Sequence, residues 1–277
     1  MQAIFDYIRS ELQEVYSPEE IRSLSFLLLE TLTGKNRAQL LSNKNIELSD
    51  TKQHEFETIL SRLKKSEPIQ YILGSTEFYN CTFAVDKNVL IPRPETAELV
   101  DWIVKKETQC KSLLDIGTGS GCIAVACAKQ LPSCSVCALD VSETALKVAA
   151  ENAKRNNVEV EYFNADILQQ PVYKRKWDVI VSNPPYVCHS EKSGMEQNVL
   201  AYEPHLALFV PDENPLLFYR AIAHFAKQHL SSGGRLYFEI NRAYGSAVRE
   251  MLETLEFTEV TVRQDIFGND RMIKARL

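Results

Sequence analysis

The sequence predicts an α/β fold, a doubly wound and largely parallel sheet preceded by a small N-terminal helical bundle and a β-hairpin linker. Three observations predict it. Residues 1 to about 74 repeat apolar residues at three- and four-residue spacing, the signature of amphipathic helices. From Ser112 onward, short apolar runs alternate with helical segments, which implies parallel strands joined by crossover helices. Between the two regions, "YILGSTEFYNCTFAVDKNVLIPRPET" mixes β-formers with turn residues, as a hairpin or two short strands would. The expected division is 1–74 for the bundle, 75–92 for the hairpin linker and 93–277 for the sheet domain.

Each element has its own local justification. Ile4, Ile8, Leu12 and Val15 form one stripe on a first helix. "SPEE" at Ser17–Glu20 is a start signal, with a serine cap, proline at the first helical position and Glu20 placed for a capping box. The helix it opens should stop near Gly34, and "NRAQLLS" and "DTKQHEFETILSRLKKS" supply the remaining helices. Several short amphipathic helices bury their stripes against one another, hence a bundle. After Pro92 and Pro94, "ETAELVDWIVKK" reads as a helix. Strand "SLLDIG" then precedes helix "GCIAVACAKQL", strand "SVCALD" precedes helix "SETALKVAAENAKRNN", and strand "VEVEYFN" is followed by strand "WDVIVSN". Helix "PLLFYRAIAHFAKQHL", strand "GRLYFEI" and helix "AYGSAVREMLETL" come next. The last two strands, "FTEVTVRQD" and "RMIKARL", are joined through Gly268, Asn269 and Asp270, so they should pair antiparallel.

Composition narrows the function classes. The chain has 277 residues, 45% hydrophobic and 25% charged, which suits a globular core that needs no covalent staples. A net charge of -6 gives no general attraction for phosphate backbones or acidic membranes, so neither direct nucleic-acid binding nor membrane binding is expected. No apolar run is long enough to cross a bilayer, and the opening stretch, with Asp6, Glu11 and Glu14, lacks a secretory pattern; a cytoplasmic location is expected. Seven cysteines, an odd number in apolar surroundings, suit reduced thiols. Cys134 and Cys137 form a C-x-x-C, but on a strand they point to opposite faces and no second pair completes a metal site. The histidines form no ligand cluster: His224 and His229 do not share a helix face, and His189 and His205 read as loop residues. No metal is expected.

The first strand of the alternating region ends in "LDIGTGSGC", residues 114 to 122. Gly117, Gly119 and Gly121, with Thr118 and Ser120 between them, allow a tight turn and close approach of a ligand at a helix N-terminus. The second strand ends in Asp140, placed to reach the hydroxyls of a ribose. Cys122 stands where a dinucleotide fingerprint needs glycine, and no P-loop is present. A nucleoside ligand without a phosphate cradle remains, and S-adenosylmethionine fits, with Asp115 suited to a ligand bearing an ammonium and a sulfonium. Asp166 sits where the adenine end should lie, or serves as a cap, and Ile167 or Leu168 would pack against the ring.

The fourth strand runs out through "DVIVSNPPYVC", Asp178 to Cys188, beside the first at the topological switch point where ligands bind. A planar amide or aromatic amine is a poor nucleophile because its lone pair is delocalised. The Asn183 side-chain oxygen and the Pro184 carbonyl can hold both N–H hydrogens and turn that lone pair toward a sulfonium carbon. Pro184 and Pro185 remove competing donors, and Tyr186 can stack on the flat group. The pattern describes a clamp for a planar NH2.

"LDIGTGSGC", "LDVS", "VSNPPYV", "PIQYILG", "LIPRPET" and "DIFGNDR" together resemble the bacterial protein-(glutamine-N5) methyltransferases that modify peptide chain release factors, over about Pro68 to Arg271. The resemblance implies a class I methyltransferase-like sheet and a role in translation termination. The acceptor would be the glutamine of the Gly-Gly-Gln motif in class 1 release factors. The bundle and sheet domain would grip that partner. It further implies cofactor contacts from Gly117 to Gly121, Asp140, Ile167 and Asn183, with Asn183, Pro184, Pro185 and Tyr186 holding the glutamine. Two departures stand out: Ile167 replaces a frequent aromatic, and Ala97 follows "PRPET" where an acid is common. A DNA adenine N6-methyltransferase would use the same clamp, but it would need a target-recognition region and a basic cleft. A monomer is expected.

Overall fold

Capping chemistry sets the first helices of the computed structural model, which describes residues 2–42, 46 and 48–277. Helix α1 spans Gln2–Leu12 and α2 spans Pro18–Thr33. Ser17 caps α2 as its spacing requires: its side chain accepts from the Glu20 N–H, and the Glu20 carboxylate accepts from the Ser17 N–H. Gly34 ends the helix with φ 68°, a left-handed conformation that costs glycine little. Helices α3 (Arg37–Ser42), α4 (Asp50–Leu63) and α5 (Ile69–Leu73) follow. Ile8, Leu12, Leu28, Phe56 and Leu60 bury their stripes in one cluster. Helix α5 takes up residues 71–73, the opening of the stretch rich in β-formers. The first strand begins only at Ser75.

Strands β1 (Ser75–Phe78) and β2 (Cys81–Ala84) form an antiparallel hairpin. Its two turn residues, Tyr79 and Asn80, both have positive φ, as a two-residue hairpin loop requires. Next come α6 (Pro94–Lys106), β3 (Ser112–Ile116), α7 (Cys122–Gln130), β4 (Ser135–Asp140), α8 (Glu143–Arg155), β5 (Glu161–Asn164) and β6 (Trp177–Ser182). The two asparagines Asn152 and Asn156, one turn apart on α8, sew the hairpin down. Asn152 exchanges hydrogen bonds with the Ala84 backbone and also donates to the Ser120 carbonyl, while Asn156 exchanges them with Thr82.

The chain continues through β7 (Val187–Cys188), α9 (Gln197–Tyr202), β8 (Phe209–Val210), α10 (Leu217–His229), β9 (Leu230–Glu239), α11 (Gly245–Thr254), β10 (Thr258–Gln264) and β11 (Asp270–Arg276). The pair β7–β8 and the short α9 are additions to the sequence reading, each too short to show a period. The main sheet has seven strands in the order β10-β11-β9-β6-β3-β4-β5. From β9 to β5 all pairs are parallel; β11 runs antiparallel to β9, and β10 to β11. The strand order reverses at β3, with β4 on one side and β6 on the other, which is the predicted switch point.

Alternation along the strands fills both faces. Leu114, Ile116, Ile180, Leu236 and Phe238 join Tyr219 and Phe225 of α10 in one cluster, while Tyr237, one residue off, meets Trp102 of α6 edge-on. Each such fully buried large side chain contributes about 1.5–3 kcal/mol, so the sheet edge holding the site stands on a stiff base. Cys134 lies just outside β4, and its sulfur faces that of Cys110 at 2.7 Å rather than sharing a strand with Cys137. Among the described residues, no helix is long and apolar enough to cross a membrane.

By its contacts the chain divides into two compact units: residues up to Leu73 with Gln197–Tyr202, and Gly74–Glu196 with Glu203–Leu277.

Candidate active site

Parallel pairing brings the two singled-out motifs together. Ile116 is the register partner of Ser182, so Gly117 and Asn183 leave the sheet side by side at the carboxyl ends of β3 and β6. They open onto a cavity of about 380 Å³. Gly117 to Ser120, Asp140, Asp166, Ile167, Asn183, Pro184 and Pro185 all line it.

The glycine turn is held mainly by backbone. The N–H groups of Gly117 and Thr118 donate to the Leu139 carbonyl, at 2.8 and 3.1 Å. Gly119 N–H donates to Asp140 Oδ2 at 2.8 Å, and Ser142 N–H donates to Oδ1 at 2.9 Å. Both Asp140 oxygens therefore already hold one donor each, and their remaining lone pairs are what a ribose would use. Burial pushes the Asp140 carboxyl above its ordinary value, against those N–H groups, which lower it. Around Gly117 and Gly119, nothing lies within 4 Å of where a Cβ would stand, so the space beside the turn is open to a ligand. Gly121 serves packing instead: a Cβ there would stand 3.0 Å from the Ala149 Cβ on α8.

Asp115 departs from the sequence reading. It does not line the cavity but is fully buried beneath the turn, where Thr118 Oγ1 donates to its Oδ2 at 2.6 Å. Its Oδ1 has no hydrogen-bond partner, and burial pushes the carboxyl up to about 7. Asp166 follows β5. Its side chain accepts from the Leu168 N–H as a cap, and the residue also lies on the cavity wall. Ile167 is 6% exposed, shared between that wall and the core.

At the other wall, Asn183 Nδ2 donates to Thr96 Oγ1 at 3.2 Å. Thr96 is the third residue of α6 and lines the cavity. Tyr186 is not among the residues that line it. Its hydroxyl turns away and donates to Glu239 Oε1 at 3.0 Å. Burial and the Glu239 charge hold that hydroxyl far above the ordinary tyrosine range. Arg93 pairs with buried Glu203 at 2.5 Å, and Ile91 N–H donates to the same carboxylate, fixing the run that precedes α6.

The chain matches the PrmC N-terminal domain family over residues 3–74 and the methyltransferase small domain family over residues 95–203. It is 49% identical to the release factor glutamine methyltransferase of Bacteroides thetaiotaomicron, over 99% of each chain. It is 47% identical to the enzyme of that name in Flavobacterium psychrophilum, over 95% of this chain and 94% of the relative. The chain belongs to the release factor glutamine methyltransferase family. A solved structure from Streptococcus mutans, named provisionally as a SAM-dependent methyltransferase, shares the fold at TM-score 0.52 and 10% identity, covering 73% of this chain and 55% of that one.

For S-adenosylmethionine, the cofactor of this methyltransferase family, the residues present fit. The turn leaves open space where side chains would stand, Asp140 offers acceptors, and Ile167 offers an apolar wall. In this methyltransferase-family site, Thr96 and Glu239 are the residues that sequence reasoning missed. "PRPET" stood out, but nothing marked its threonine. Glu239 did leave a trace, as an acid ending the apolar run Leu236–Phe238, where burial is dear unless partners wait. His189 and His205 instead pack against Phe209, and buried His229 accepts from the Tyr173 N–H.

Proposed function

We propose that the protein transfers a methyl group from S-adenosylmethionine to the side-chain amide nitrogen of the glutamine in the Gly-Gly-Gln motif of class 1 peptide chain release factors. One observation carries the reading: Asn183 and Pro184 stand on the same cavity wall system as Gly117–Ser120 and Asp140, in a chain of this family. When bound, the cofactor supplies an electrophilic methyl on a positively charged sulfur. Gly117 to Ser120 and Asp140 would hold it, and Ile167 would pack on its flat end. The Asn183 side-chain oxygen and the Pro184 carbonyl accept the two glutamine N–H groups and fix the plane of the amide.

With its plane fixed by Asn183 and Pro184, the amide nitrogen would be presented in line to that methyl group and would give up one proton to solvent on transfer. No strong base is required before transfer, so rate comes from placement. Positioning of this kind can supply up to about 7–11 kcal/mol of a barrier. Pro185 keeps a donor out of the clamp, and Tyr186, anchored on Glu239, sets the direction in which the strand exit leaves β6. The helical unit grips the release factor in the same reading.

The test is methyl transfer from labelled cofactor, offered a class 1 release factor, the same factor with its motif glutamine replaced by alanine, and DNA. Label should enter the first alone. Label in DNA, or equal label in the alanine factor, would overturn the assignment.

A further inference from the structure

The hydroxyl of Thr96 and the carboxylate of Glu239 stand behind Asn183 in a chain whose polarity can be worked out by counting protons. Thr96 Oγ1 lies 2.6 Å from Glu239 Oε2, the Tyr186 hydroxyl lies 3.0 Å from Glu239 Oε1, and Asn183 Nδ2 lies 3.2 Å from Thr96 Oγ1. Thr96 is 2% exposed and Glu239 1%, so water does not compete for these groups. Both hydroxyls donate to Glu239, one to each oxygen, as they must to a carboxylate that only accepts. A hydroxyl has a single proton. With its proton committed to Glu239, Thr96 offers Asn183 nothing but a lone pair. Asn183 must answer with its NH2, and its Oδ1 is left for the cavity.

We propose that Thr96 and Glu239 are positioning residues that fix the orientation of the Asn183 carboxamide, so that the cavity presents an oxygen, accepts the N–H groups of a primary amide and rejects a carboxylate. The inference rests on the methyl-transfer reading and deepens it: this device makes the site select glutamine over glutamate. An Asn183 amide turned the other way would set its NH2 against the substrate N–H groups and welcome an acid instead. The "PRPET" run thereby gains a role, since Pro94 starts α6 and the helix delivers Thr96 to the strand exit. The hydrogen bonds span 87 and 143 residues of chain, so the arrangement is a product of the tertiary fold.

The test uses the full chain and two forms of a class 1 release factor, one with its motif glutamine and one with glutamate there. Wild-type transfer to the glutamine form checks the functional reading alone. The polarity device is checked by equilibrium binding of the two forms, which needs no turnover. Thr96→Val keeps the shape and removes the hydroxyl. It should narrow the preference for glutamine about tenfold and lower kcat roughly 10- to 100-fold, with the cofactor KM unchanged. Thr96→Ser restores the hydroxyl and should stay within about threefold of wild type on both measures. Glu239→Ala frees the Thr96 proton to turn toward Asn183 Oδ1 and should narrow the same preference, which keeps the test alive if Thr96→Val does not fold. An unchanged glutamine-to-glutamate preference in Thr96→Val and Glu239→Ala would overturn the proposal, whether or not turnover falls. So would a Thr96→Ser protein as impaired as Thr96→Val.

Discussion

The two walls of the cavity are built from different materials. The turn after β3 is backbone and near-neighbour contacts: N–H groups on the Leu139 carbonyl, and Gly119 on Asp140 only 21 residues away. The strand exit after β6 is held by side chains drawn from α6 and β9, across separations of 53 to 143 residues. A wall of backbone tolerates most side-chain change and fails where a glycine is filled. A wall of linked side chains fails when any one link is cut.

The sharpest way to break this contrast is Asn183→Ala. Loss of one aligned polar group at a reacting centre typically costs roughly 100- to 1000-fold in turnover. We expect that loss in kcat with a much smaller change, of about tenfold or less, in cofactor binding, because the opposite wall is untouched. Steady-state transfer and calorimetric binding of the cofactor check it. A folded variant turning over at near wild-type rate would remove Asn183 from the chemistry.

Filling a glycine should do the reverse. Gly121 has φ 80°, and an added Cβ would meet the Ala149 Cβ at 3.0 Å and its Cα at 3.2 Å. Gly121→Val combines a strained backbone with overpacking, so it should cost about 2–3 kcal/mol of stability. Gly119→Ala meets open space instead. It should cost about 1 kcal/mol or so through its backbone conformation and act mainly on cofactor affinity. Urea unfolding of both variants measures the gap, and equal destabilisation would refute the division of labour among these glycines.

How much of each wall was legible follows from the same difference. The glycine turn, Asp140 and the switch point could be read because their partners lie close in sequence and strand alternation fixes their direction. The hairpin was legible as turn chemistry, but the Asn152 and Asn156 stitches to Ala84 and Thr82 were not, since nothing local shows an asparagine which backbone it will meet. Asn183 and Pro184 were visible as a motif. Their support was hidden, because Thr96 and Glu239 only become neighbours once α6 and β9 have packed on β6. Tyr186 makes the same point: the motif showed an aromatic ring, while the Glu239 carboxylate that takes its hydroxyl proton lies 53 residues away.

Asp140→Asn tests the backbone wall at the carboxylate that takes the Gly119 N–H. An amide has a single acceptor oxygen, so one of the Gly119 and Ser142 N–H groups would face an NH2. An unmade hydrogen bond of this kind costs about 1–2 kcal/mol, and cofactor affinity should fall roughly tenfold with the turn disturbed. Binding unchanged from wild type would mean that Asp140 serves the turn and not the ligand.

The smallest effect compares the two buried carboxyls beneath these walls. Glu239 has a hydroxyl on each oxygen and feels the charge of Arg271, all of which oppose the rise caused by burial. Asp115 is opposed only by the Thr118 hydroxyl and the Ala124 N–H, no counter-charge among the described residues stands beside it, and burial with the Asp140 charge pushes it up to about 7. A carboxyl whose folded value lies above its ordinary value of 3.8 makes the native state bind the extra proton. Its contribution to stability is therefore present at low pH and is lost as pH rises through about 7. Between about pH 6 and pH 8 the loss should be roughly 1 kcal/mol. Asp140 and Glu239 are also raised, so the informative quantity is the difference between wild type and Asp115→Asn, which cannot ionise at that position. Unfolding free energies of the two cofactor-free proteins should diverge in favour of the variant as pH increases across that window. A constant difference would mean that Asp115 keeps its ordinary ionisation despite its burial, and that its surroundings supply more compensation than the Thr118 hydroxyl and the Ala124 N–H.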